Sequence, residues 1–175
     1  AFSLEQTRRL FEAARRAGLP LKIHADEFDN LGGVRLAVEM GAASADHLMH
    51  TSDEEIALIG QSNTVAVALP CTTFGLAEKQ YMPARKFIEA NAIVALATDC
   101  NPGTAWNESM QFVIALACRY MKMTVAEALC AATINAAAAI HREDRIGSIE
   151  PGKQADMIIL AASDYRHLGY RFGTN

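Results

Sequence analysis

One pattern recurs four times along the sequence: an apolar, strand-like run ends at a polar residue or a proline, and a helical pattern follows. The runs end at His24, His47, Pro70 and Asp99, so the intervals between these ends are 23, 23 and 29 residues. Spacing of this length is typical of successive strand-helix units, and strands that alternate with helices form a parallel sheet. The sequence therefore predicts an α/β protein.

The element boundaries are predicted from the apolar periodicity and from the residues that interrupt it. Strands are predicted over residues 21–26, 43–48, 64–69 and 93–98. Helices are predicted over residues 4–17, 31–40, 53–60, 83–91, 107–121, 124–133 and 135–141. A long loop is predicted between the third strand and its helix, and Met157–Leu160 is predicted to form a strand after the turn at Pro151-Gly152.

Two architectures fit four such units: an open doubly wound sheet, or part of a (β/α)₈ barrel. An open sheet of this class usually carries a glycine-rich phosphate-binding turn, and the sequence has no GxGxxG or GK[ST] turn. The barrel is therefore preferred. Since eight units take roughly 250 residues, residues 1–143 are predicted to form one half of a barrel. Residues 144–175 would add a returning strand, whose partner strands lie outside this chain, and a tail.

The composition excludes several classes of partner. The chain is 51% hydrophobic and has a net charge of −4 at pH 7 without a basic run, so neither nucleic acid nor anionic lipid is an expected partner. Its apolar runs are far shorter than the roughly 20 residues of a membrane-spanning helix. The four cysteines show no CxxC spacing, which favours a reducing compartment and a cytoplasmic location. A small, roughly neutral partner is expected instead.

Three of the strand ends carry side chains that bind metal ions: His24, His47 and Asp99. In a barrel, the carboxyl ends of the strands form the face on which chemistry occurs. Imidazole and carboxylate groups suit a divalent, zinc-like ion that activates a water molecule. One strand-end histidine alone is more often structural, but three such residues together predict a metal centre at this edge.

Four segments of the sequence carry a family resemblance. They are HADEF at 24–28, DHL at 46–48, TDCNPGT at 98–104 and the glycine-containing tail at 146–156. Together they resemble the amidohydrolase superfamily and, within it, the imidazolonepropionase family. The resemblance implies that the four strands are strands five to eight of a metal-dependent barrel, followed by one strand of a small β-sandwich domain.

The resemblance also implies roles for the strand-end residues. His24 and Asp99 would bind one zinc or iron ion per active site, and Asp99 would accept a proton from the attacking water. His47 would polarise the carbonyl group or transfer a proton. Glu27 would contact the ring nitrogens of the substrate, although strand parity places it on the face opposite His24 unless the strand ends early and a loop redirects it. Asp26 is the alternative.

The implied substrate is 4-imidazolone-5-propanoate, which is hydrolysed to N-formimidoyl-L-glutamate in histidine degradation. Asn101, Gly103 and Thr104 are the candidate substrate-binding residues after Asp99. They precede the helix predicted from residue 107, and free N–H groups at a helix start attract anions such as a propanoate. The resemblance further implies a homodimer.

One family feature is missing from the sequence: no HxH motif occurs, so two of the metal ligands that the superfamily pattern places on the first strand are absent. We therefore expect the missing N-terminal half of the same protein to complete the site and the isolated chain to be inactive. Two alternatives stay open. One is an amidohydrolase that deaminates a purine or pyrimidine, and the other is a catalytically inactive half-barrel that acts as an interaction module.

Overall fold

The computed structural model of the protein describes residues 2–173. Its strands are β1 (Lys22–Ala25), β2 (Ser44–His47), β3 (Val65–Ala68) and β4 (Val94–Leu96). Its α-helices are α1 (Leu4–Arg16), α2 (Gly33–Glu39), α3 (Asp53–Gly60), α4 (Pro70–Gly75), α5 (Ala84–Glu89), α6 (Met110–Tyr120), α7 (Val125–Ala132) and α8 (Ile134–Ala138). A 3₁₀ helix covers Tyr165–Gly169.

The four strands form one parallel sheet in the order β1-β2-β3-β4, so each strand pairs with its neighbour in sequence. This order is that of a run of consecutive strands in a (β/α)₈ barrel. It confirms the predicted parallel α/β sheet, although each strand is slightly shorter at both ends than predicted. Because all strands run in the same direction, their carboxyl ends share one edge.

The two faces of the sheet have different environments. Alternate residues of β3 separate accordingly: Ala66 and Ala68 belong to the main core with the helices, whereas Val65 and Val67 pack in a second cluster with Ala139. Helix α8 covers this second face at β3 and β4. The second face corresponds to the interior of a barrel.

Helix α8 lies near the amino ends of the strands. The Asn135 side chain donates a hydrogen bond from Nδ2 to the carbonyl oxygen of Val94, the first residue of β4, at 2.8 Å. Lys22, the first residue of β1, donates from Nζ to the carbonyl oxygen of Ala139 at 3.2 Å. The second face is therefore covered at the amino ends of the strands. The carboxyl edge is left open and can form a site.

The structure corrects the prediction of a long loop after the third strand. Residues 70–75 form helix α4 instead of part of a loop, because Pro70 at the first helical position needs no N–H partner and its φ suits a helix. Met157–Leu160, whose partner strands are predicted to lie outside this chain, forms no strand pairing among the described residues. Without a neighbouring strand, the backbone has no ladder to join, and the Ile159 side chain is fully exposed.

The predicted long helix from residue 107 also begins later, at Met110. The Ser109 hydroxyl accepts a hydrogen bond from the Phe112 amide and caps this helix. The predicted start of the first helix is confirmed, since Ser3 and Gln6 form a reciprocal capping box.

Within residues 2–173 the longest apolar helices fall short of what a membrane crossing requires.

Helices α3 and α5 approach each other closely at Gly60, where a Cβ atom would lie 2.0 Å from the carbonyl oxygen of Ala90. Gly60→Ala must push these elements apart, and we expect it to lower the free energy of unfolding by about 1–3 kcal/mol. Denaturant unfolding measures this change. Gly173→Ala is the control, because a methyl group there would meet no atom of the described residues within 4 Å; equal effects of the two variants would contradict the prediction.

Candidate metal centre at the carboxyl edge of the sheet

The centre is built on the pairing of β1 with β2, which sets Ala25 opposite His47 at the carboxyl edge. Nδ1 of His24 lies 2.7 Å from Nε2 of His47, and the ring centroids are 4.9 Å apart. A separation of this size is a hydrogen bond, so one of the two nitrogens carries a proton and the other accepts it. The two predicted histidines therefore meet directly.

Glu27 joins the histidines because β1 ends at Ala25. The next residue, Asp26, has a left-handed backbone with φ of 54°, and this turn redirects the chain after the strand. The Glu27 Oε2 atom lies 3.7 Å from Nε2 of His47. The early strand end thus meets the condition under which strand parity allows Glu27 to reach the histidines.

Asp26, the alternative to Glu27, is buried and engaged elsewhere. Its Oδ2 atom accepts a hydrogen bond from the Thr51 hydroxyl at 2.8 Å, and its carbonyl oxygen accepts one from the His50 amide at 2.9 Å. Burial raises the pKa of Asp26. These bonds connect the turn after β1 to the turn after β2.

Within residues 2–173, the group of ionisable side chains close enough to share one metal ion consists of His24, Glu27 and His47. One ligand atom from each lies within 4.8 Å of the others. Imidazole nitrogen and carboxylate oxygen are ligands of zinc and of ferrous iron. The donor set therefore fits a divalent transition-metal ion, and it contains the predicted ligand His24 but not the predicted ligand Asp99.

Asp99 follows β4 and lies beside this group instead of within it. Its Oδ2 atom accepts a hydrogen bond from the Thr72 hydroxyl at 2.5 Å, and its carbonyl oxygen accepts one from Nδ2 of Asn101 at 2.7 Å. Its negative charge acts to raise the pKa of His47. Asp99 is thus close enough to His47 for their charges to interact.

The electrostatic environment of His47 favours the neutral imidazole. Burial lowers its pKa and outweighs the opposite effect of the Glu27 carboxylate, which is the next largest influence. The neighbouring His24 lowers the pKa further, whereas Asp99 and Asp46 raise it. A neutral His47 can both accept a proton and bind a metal ion.

The loop after Asp99 is closed by its own hydrogen bonds. The Oδ1 atom of Asn101 accepts from the amides of Gly103 and Thr104, each at 2.8 Å. In this structure these amides are therefore paired within the loop, and helix α6 begins later than predicted, at Met110.

Sequence reasoning missed three polar groups near the site. Thr72 contacts Asp99, and Thr51 contacts Asp26. On the interior face, the Lys22 ammonium donates to the Ser44 hydroxyl at 2.5 Å, which donates to Oδ1 of Asp46 at 2.6 Å. Only this last group had a sequence signal, since Lys22 and His24, like Ser44 and Asp46, are two residues apart in a strand and share a face.

The sequence of the chain is similar to those of known proteins. The chain is 55% identical over 175 residues to the imidazolonepropionase of Herpetosiphon aurantiacus and 53% identical over 174 residues to that of Porphyromonas gingivalis. These alignments cover 100% and 99% of this chain. In both cases the chain spans 41% of the length of the curated relative.

Solved structures with the same fold include a zinc-bound adenosine deaminase from Xanthomonas campestris, with a TM-score of 0.73 and 24% identity over 89% of this chain and 40% of that one. The atrazine chlorohydrolase TrzN from Arthrobacter aurescens, complexed with zinc, has a TM-score of 0.73 and 17% identity over 97% of this chain and 44% of that one. The family described as "Amidohydrolase family" matches residues 1–170. With nearly the whole sequence matched, the chain belongs to the amidohydrolase family.

Proposed function

We propose that the chain is the C-terminal part of an imidazolonepropionase, which hydrolyses the cyclic amide of 4-imidazolone-5-propanoate to N-formimidoyl-L-glutamate in histidine degradation. The observation that carries the proposal is the group formed by His24, Glu27 and His47 at the carboxyl edge of the sheet, in a chain that is 47–55% identical to imidazolonepropionases over nearly its whole length. A preceding part of the same protein would supply the first half of the barrel.

One zinc or iron ion would be held by His24 and Asp99, with the remaining ligands from the preceding part. When bound, such an ion polarises a carbonyl group and lowers the pKa of a water molecule. Asp99, anchored through one carboxylate oxygen by Thr72, accepts a proton from the attacking water. His47 and Glu27, whose Nε2 and Oε2 atoms are 3.7 Å apart, are then available to contact the substrate.

His47 and Glu27 have different roles toward the substrate ring. His47 is neutral at pH 7 because burial lowers its pKa, so it can donate a hydrogen bond to the carbonyl oxygen or pass a proton to the ring nitrogen. The Glu27 carboxylate accepts hydrogen bonds from ring N–H groups and orients the ring. Its 22% exposed side chain is accessible from the open edge.

Asn101, Gly103 and Thr104 are proposed to bind the propanoate group of the substrate. The amides of Gly103 and Thr104 now donate to Asn101, so a bound carboxylate would take the place of the Asn101 oxygen atom as their acceptor.

The tail is proposed to join a small β-sandwich domain completed by the preceding part. Ile158 and Ile159 support this, since their side chains are exposed beside backbone that has no strand partner among the described residues. A homodimer remains a prediction from family membership, and a cytoplasmic location remains one from the cysteine pattern.

An amidohydrolase deaminase is the second candidate, because adenosine and guanine deaminases are among the proteins that share the fold. Their identity to this chain is only 24% and 17%, which supports a common fold and no more. An inactive half-barrel is the third candidate, supported by the absent HxH motif.

We predict that the full-length protein turns over 4-imidazolone-5-propanoate and that Glu27→Gln lowers kcat by roughly two orders of magnitude, since the amide is uncharged, has one acceptor oxygen instead of two and cannot accept a proton as the carboxylate can. Steady-state kinetics with this substrate and with guanine measure both claims. Glu54→Gln, at an exposed position of α3, is the matched control. Turnover of guanine instead would favour the deaminase.

The isolated 175-residue chain is predicted to self-associate and to bind zinc weakly. β1 has a neighbour on one side only within residues 2–173, and the apolar tail at Ile158 and Ile159 is exposed. Two protein ligands of about four also give incomplete coordination. Sedimentation and metal analysis test this before and after addition of the preceding half. A monomer with stoichiometric zinc would refute the half-barrel interpretation.

The lowered pKa of His47 predicts a pH-dependent stability. The unfolded chain binds a proton at this histidine near pH 6.5, whereas the folded protein binds it only at a lower pH. The free energy of unfolding of the metal-free protein should therefore fall as the pH decreases below about 6.5. His47→Gln should flatten this slope in denaturant titrations between about pH 8 and pH 5.5, and His167→Gln, at an exposed position, should not.

A further inference from the structure

Helix α4 follows directly after β3 in the chain, and its side chains contact the region after β4. Its third residue, Thr72, is completely buried, and its hydroxyl lies 2.5 Å from Oδ2 of Asp99. A threonine in a helix can donate its hydroxyl proton to a backbone carbonyl one turn earlier. Here the proton goes to the carboxylate of another element, across 27 residues of sequence.

The same helix is fixed against the loop that follows Asp99. A Cβ atom on Gly75 would lie 1.9 Å from the carbonyl oxygen of Thr104, so only glycine allows this approach. The Asn107 side chain donates from Nδ2 to Sγ of Cys71 at 3.2 Å. Thr72 is thus held in place by contacts on both sides of it in α4.

The Asp99 side chain is constrained at one oxygen only. Thr72 donates to Oδ2, whereas Oδ1 accepts no hydrogen bond from a donor within the described residues. The main chain at Asp99 is left-handed, with φ of 49°, and Asn101 holds its carbonyl oxygen. Backbone and carboxylate are therefore oriented before any ligand is present.

We infer that Thr72 is a positioning residue for Asp99: its hydroxyl occupies one carboxylate oxygen and leaves the other for the metal centre. The inference rests on the proposed role of Asp99. A hydrogen bond to a carboxylate ligand fixes its orientation and supports the binding of the metal ion. Because Thr72 is completely buried, it acts through Asp99 and not on a ligand directly.

The neighbouring residue provides a matched control. Thr73 lies in the same helix and is also buried, but its hydroxyl donates to Sδ of Met49 at 3.0 Å and not to Asp99. Thr72→Val and Thr73→Val each remove one buried hydroxyl at nearly constant volume. Only the first removes the bond to the carboxylate.

The test uses the full-length protein and measures zinc affinity by competition with a chelator, together with the melting temperature and the kcat and KM for 4-imidazolone-5-propanoate. We expect Thr72→Val to weaken zinc binding by about 10- to 100-fold and to lower kcat more than it raises KM. Thr72→Ser, which keeps the hydroxyl, should restore both, and Thr73→Val should match the wild type in zinc affinity.

Equal zinc affinities of Thr72→Val and Thr73→Val would overturn the inference, as would a failure of Thr72→Ser to restore binding. If Thr72→Val does not fold, Thr72→Ala and Thr73→Ala replace the pair, because alanine also removes the hydroxyl. Zinc affinity does not depend on the substrate. A wild type that binds zinc but does not hydrolyse the imidazolone would therefore refute the proposed function and leave the role of Thr72 to be decided by the same comparison.

Discussion

The parallel pairing of β1 with β2 is the constraint on which the candidate site depends. It brings the ends of both strands to one edge, where His24 and His47 come within 2.7 Å of each other. Two imidazole rings at this distance share a proton and cannot both be protonated without repulsion. The strand pairing therefore holds the two imidazole rings close together. Burial lowers the pKa of His47 and favours its neutral form, which avoids repulsion between two charged rings.

The backbone at this edge is unusual in conformation. Asp26, His47, Leu48 and Asp99 all have positive φ without being glycine. Left-handed backbone is tolerated by aspartate but is costly for a residue such as leucine, and it persists where the surroundings determine it. Here the Leu48 amide donates to the carbonyl oxygen of Ala25, and the Thr51 hydroxyl donates to Asp26. These bonds stabilise the turns that aim the functional side chains.

The interior face of the sheet divides into two halves with different chemistry. At β3 and β4 it is apolar and covered by α8, which closes the end opposite the site. At β1 and β2 it carries Lys22, Ser44 and Asp46, linked by hydrogen bonds below His24. The polar half lies next to the free edge of β1, where the proposed preceding part of the barrel would pair. The stability of the sheet and the completion of the site would thus both depend on the proposed preceding part of the barrel.

The sequence alone determined the strand-helix order and the strand-end positions of His24, His47 and Asp99, because apolar periodicity and strand boundaries are local properties. It could not determine that β1 stops at Ala25, which turns Glu27 toward His47, or that residues 70–75 form a helix whose Thr72 contacts Asp99. The strand end and the Thr72 bond depend on contacts between residues distant in sequence, about which local patterns carry no information. The sequence also could not tell that Asn101 binds the amides of its own loop. Those bonds are local, but they depend on the folded shape of the loop and not on apolar periodicity.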